Sequence, residues 1–73
     1  MPPDEALDDA AIMTATKAVR RLVNLSLEEA LRGVQYGIEL AQKEALDKGD
    51  EPRAKRMGER FKATIRVGRK LRK

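Results

Sequence analysis

The chain has 73 residues, no Cys, no His and no Trp, and a formal net charge of +4 from 16 Lys and Arg against 12 Asp and Glu. That length allows one domain with a small core. The missing Cys and His exclude disulfide staples, remove the preferred ligands of Zn, Fe and Cu sites, and leave none of the common nucleophile and base pairings. The reading is therefore of a non-enzymatic protein with no catalytic residue, no metal and no cofactor. A single core this small seldom supplies more than about 3 to 5 kcal/mol, so association between chains is the expected reinforcement.

The longest unbroken apolar run is the four residues 10–13, too short to span a bilayer. The first ten residues are acidic where a signal peptide would be basic, which predicts a cytoplasmic protein. Abundant Ala, Leu, Glu, Lys and Arg favour helix over strand throughout.

Residues 1–4, with Pro2 and Pro3, are expected to fray. A first helix over about 5–23 follows, with Asp4, Glu5, Asp8 and Asp9 at its positive end and Lys17, Arg20 and Arg21 in its second half. Its apolar positions are Ile12, Ala15, Val19 and Leu22, with Ala11, Ala18 and Val23 beside them. Asn24 and Leu25 make a tight connection, and Ser26 to Glu29 reads as a capping box.

The second helix, about 27–48, carries a seam of Leu27, Leu31, Val34, Ile38, Ala41 and Ala45, and is stopped by Gly49 in the left-handed conformation. Glu28 with Arg32, Glu39 with Lys43, and Glu44 with Lys48 are i,i+4 pairs on its solvated side, which also holds Tyr36. Beside the seam runs a ridge of small residues, Ala30, Gly33, Gly37 and Ala41, edged by Leu40. Each glycine inside a helix costs about 1 kcal/mol relative to alanine, so close approach of another helix is expected there, and the ridge is the predicted dimer interface.

Asp50 caps a third helix over about 52–71, with Pro52 in its first turn. Ala54, Met57, Phe61, Thr64, Ile65, Gly68 and Leu71 form its apolar stripe. Residues 52–73 hold ten Lys and Arg against Glu59 alone, a formal charge of +9, while residues 1–51 carry −5. Lys55, Arg56, Arg60, Lys62, Arg66, Arg69, Lys70 and Lys73 lie away from the stripe and are the candidate nucleic-acid-binding residues. Residues 68–73 are a candidate arm that orders on binding. The fold class is all-α, a small three-helix domain with short turns, its second and third helices an antiparallel hairpin, completed by dimerisation.

Phosphate binding needs cations repeated along one face, and about five such contacts predict a log-log salt slope near −4.5 on duplex DNA. No Asn or Gln lies in the third helix to read adenine, and its one Phe belongs to the apolar stripe, so the backbone of duplex DNA is favoured over single strands, with structured RNA next. A helix-turn-helix over 19–31 has the right turn length. It would set Glu28 and Glu29 against phosphates, and a plain helical corner explains the stretch better. A membrane-surface helix would need a broader apolar face than Met57, Phe61, Ile65 and Leu71 provide.

The leading expectation is a sequence-tolerant DNA-binding protein of the small phage, plasmid or bacterial-regulator type, in a regulatory or architectural role. The rival is a protein-protein interaction module, an adaptor, inhibitor or assembly subunit, whose basic helix docks on an acidic protein surface.

Overall fold

The structure, a computed structural model, describes residues 3–72. They form α1 (Pro3–Val23), α2 (Leu27–Asp47) and α3 (Glu51–Leu71), each of 21 residues, with no strand among the described residues. α1 takes in Pro3 and Asp4, which were expected to fray, because a proline in the first turn gives up only an N–H that has no helical partner. α3 stays helical through Leu71, so residues 68–71 of the proposed arm are part of the rod. Met1, Pro2 and Lys73 lie outside the described residues.

Both corners follow from local chemistry. Asn24 closes α1 at φ 52°, a left-handed conformation that asparagine tolerates better than most residues. Ser26, extended at φ −69° and ψ 161°, then caps α2: the Glu29 amide donates to Ser26 Oγ at 3.2 Å. The hydroxyl in turn donates to Glu29 Oε1 at 3.0 Å, so the Glu29 carboxylate takes the serine hydroxyl.

Gly49 (φ 74°) ends α2 in a Schellman motif, with Gly49 N–H on the Leu46 carbonyl at 3.1 Å and Asp50 N–H on the Ala45 carbonyl at 2.8 Å. Asp50 Oδ1 accepts from the Arg53 amide at 3.2 Å and starts α3 at once.

Each helix packs on both others, most extensively α2 on α3. The Cα trace measures 35 × 29 × 16 Å, about two helix layers deep in its thinnest direction. Its core is correspondingly thin: Ile12, Leu31, Ala63 and Val67 are buried, and Met13, Val34, Ile38 and Leu71 close over them. The α2 seam is the expected one, with Leu31 and Ala45 buried and Leu27, Val34, Ile38 and Ala41 half-buried.

α3 departs from its expected stripe. Ile65 is 42% exposed, whereas Ala63 and Val67, outside that stripe, are almost fully buried. The cause is that α3 serves two neighbours, which widens its buried arc towards α1. On α1, Ile12 and Thr16 are buried while Leu22 is 84% exposed, and Thr16 stays buried by donating its hydroxyl to the Ile12 carbonyl at 2.7 Å.

The glycines that admit a neighbour are on α3. A Cβ at Gly58 would stand 2.9 Å from Gln42 Nε2, and one at Gly68 would stand 3.4 Å from Leu31 Cδ2. Gly58 thereby lets the Gln42 amide reach the Ala54 carbonyl at 3.3 Å. Gly33 and Gly37 have nothing within 4 Å of where a Cβ would be. The close approach expected over them is made by no other part of the described chain.

Candidate nucleic-acid interface

The basic residues of α3 are divided between two directions. Asp8 and Asp9, expected as helix-start charges, lie in the second turn of α1, with side chains only 6% and 8% exposed. A buried carboxylate is tolerable only when paired, and α3 supplies the partners. Arg66 holds Asp9 Oδ1 with two nitrogens, Nε at 2.9 Å and Nη2 at 2.8 Å. Lys70 Nζ stands 3.6 Å from Asp9 Oδ2, close enough for ion pairing but too far for a hydrogen bond, which that oxygen lacks.

Arg56 Nη2 lies 3.3 Å from Asp8 Oδ1, and its Nη1 lies 3.9 Å from Glu59 Oε2. The hydrogen bond from Arg66 to Asp9 raises the guanidinium's pKa above its already high ordinary value, so Arg66 remains a permanent cation. Arg56, Arg66 and Lys70 are thus engaged within the chain. Arg60 is half-buried, with its Nε enclosed and without a hydrogen-bond partner.

Lys55, Lys62 and Arg69 lie on the solvent side of α3, Lys62 at the edge of a cleft shared with Asp4, Glu5, Asp8 and Glu59, and Arg69 at the edge of a groove beside α2. They are exposed and in no ion pair among the described residues. Spaced seven residues apart, they stand on one line of the helix at intervals of about 10.5 Å. Lys73, the eighth candidate, falls outside the described residues.

Two cations outside that set join the outward surface. Arg32 was assigned to Glu28, but of the three i,i+4 pairs expected on α2 only Glu44 with Lys48 forms, at 2.8 Å. That ammonium hydrogen bond lowers the Glu44 pKa below its usual range. Arg72, outside the candidate set, is the C-cap of α3 and lines the same groove as Arg69. For Arg72 the signal was the lack of any acid within four residues; for Arg32 there was none, because Glu28 stands one turn before it.

On the predicted oligomer surface, Gly33 and Gly37 are open and Leu40 is half-exposed beside the exposed Tyr36. Ala30 is fully buried inside the chain, beneath that surface and unable to take part in it, and Ala41 is half-buried. Among the described residues no helix is long and apolar enough to cross a membrane. No protein-family model matches the chain, and no curated protein or solved structure matches it significantly.

Proposed function

We propose that this is a non-enzymatic protein that binds the phosphate backbone of duplex DNA through the outer face of α3, in a regulatory or architectural role. The observation that carries the reading is the line of Lys55, Lys62 and Arg69, three exposed cations in no ion pair among the described residues, while Glu59, the acid within the basic segment, is drawn aside to Arg56. Regularly spaced free cations are what backbone neutralisation requires, and they carry no base preference of their own.

α2 and α3 act as an antiparallel hairpin in this reading. Their contacts step in opposite directions along the chain, Gln42 with Ala54, Gln35 with Thr64 and Leu31 beside Gly68. The functional unit is a homodimer joined across Gly33, Gly37 and Leu40, and the open space above the glycines supports it.

Titration of labelled duplex DNA at two salt concentrations tests the function. Binding that weakens steeply with salt is expected; no binding at low salt ends the reading. A protein-protein interaction module is the alternative, favoured by Leu7 and Leu22, which stand 68% and 84% exposed on the outer side of α1. Failure to bind DNA together with loss of a protein partner on Leu22→Ser would favour it.

A further inference from the structure

Between the first half of α2 and the end of α3 lies a groove of about 300 Å³, a volume at the lower end of small-ligand pockets. Arg32 of α2 and Arg69 and Arg72 of α3 all line it. None of the three is in an ion pair among the described residues, although Glu28 lines the same groove. Three like charges gathered around one concavity create a local positive potential that Glu28 offsets only in part and that favours a bound anion.

The groove also has a polar wall. Gln35 Nε2 donates to Thr64 Oγ1 at 2.9 Å, and that hydroxyl's own proton goes to the Phe61 carbonyl. The threonine is thereby fixed, and the second N–H of the Gln35 amide remains to be given. Gly68 also lines the groove, and a Cβ there would come into van der Waals contact with Leu31 at 3.4 Å.

We infer that this groove is a phosphate seat, in which guanidinium groups from two helices grip the oxyanions of one phosphate or phosphodiester. Planar guanidinium forks match phosphate oxygens bidentately, and their arrival from two helices fixes the anion in register with the hairpin. The inference rests on the DNA reading for its natural ligand, a backbone phosphodiester. The seat's chemistry rests on the arginines themselves. Glu28 at the margin opposes the anion and sets an upper limit on affinity for it.

The test is an NMR amide titration of the full chain, first with inorganic pyrophosphate and then with a short duplex DNA. Pyrophosphate is expected to move the signals of Gln35, Thr64 and Gly68 ahead of those around Lys55 and Lys62. Arg32→Ala with Arg72→Ala should abolish that response, and Glu28→Gln should strengthen it. These three side chains are exposed, and unchanged far-UV circular dichroism checks that the variants fold.

On DNA, the double arginine variant should flatten the log-log salt slope by about 1, the loss of one neutralised phosphate. If pyrophosphate leaves the groove silent and the variant binds DNA with an unchanged slope, the seat is refuted and the DNA reading stands. If pyrophosphate fills the groove but duplex DNA does not bind, the seat stands with a free phosphate compound as its ligand and the DNA reading falls.

Discussion

Gly33 and Gly37 weaken α2 without admitting any neighbour from their own chain, because open space surrounds both positions. Replacing either by alanine should raise the stability of the single chain by about 1 kcal/mol, the difference in helix propensity. In a domain of this size that is roughly 4 to 8 °C in melting temperature. If a second copy crosses over the ridge, the same alanines weaken association, so thermal melts at low concentration and sedimentation should move in opposite senses.

Gly58→Ala is a contrasting case. The propensity gain is set against displacement of the Gln42 amide from the Ala54 carbonyl, and the net change should stay within about 1 kcal/mol of zero. Asn24→Val should cost about 1 to 2 kcal/mol in urea unfolding, since a β-branched residue resists the left-handed φ of 52°, while Asn24→Gly should be tolerated. Corners were legible in the sequence because Ser26, Gly49 and Asp50 act on groups within a few residues of themselves. Which glycines face a neighbour was not, because Gly33 and Gly58 present the same pattern on a helix until the partner surface is known.

At the scale of the element, α1 is held to α3 as much by charge as by apolar contact. Asp8 and Asp9 share a helical face with Ile12 and Thr16, at spacings of three, four, seven and eight residues, and all four are buried. That face is half polar, so apolar periodicity alone puts Leu22 inside and the aspartates outside. The error follows from the partner: an acid belongs in a core only where a base meets it, and Arg56, Arg66 and Lys70 were being read as a free surface.

Asp9→Ala should destabilise the fold by about 1 to 3 kcal/mol, less than for a fully buried pair because Arg66 is 25% exposed and solvent screens it. A double-mutant cycle with Arg66→Ala, followed by urea unfolding, should return a coupling of the same order. A coupling near zero would mean that packing of Ile12, Ala63 and Val67 holds the helix without help from the ion pair.

For the whole molecule, the internal pairing changes how much of the +9 segment an external polyanion can use. Lys55, Lys62 and the Arg69 seat, shared with Arg32 and Arg72, neutralise three phosphates, which predicts a log-log salt slope of about −2.7 per chain instead of the −4.5 expected from five contacts. Asp8→Asn combined with Asp9→Asn removes two negative charges and releases Arg66 and Lys70 from their partner, while Arg56 keeps Glu59. If the double variant keeps its helical circular dichroism, its slope on duplex DNA should steepen towards about −4.5, as Arg66 and Lys70 bring the contacted phosphates to five. The released side chains arise from the flank of α3 that faces α1, adjoining the outward line, so the gain depends on their long stems swinging clear of α1. A slope that stays near −2.7 while affinity rises would show that added net charge attracts the DNA from a distance without new phosphates being contacted. In that case the three outward residues, and not the formal charge of the segment, define the binding face.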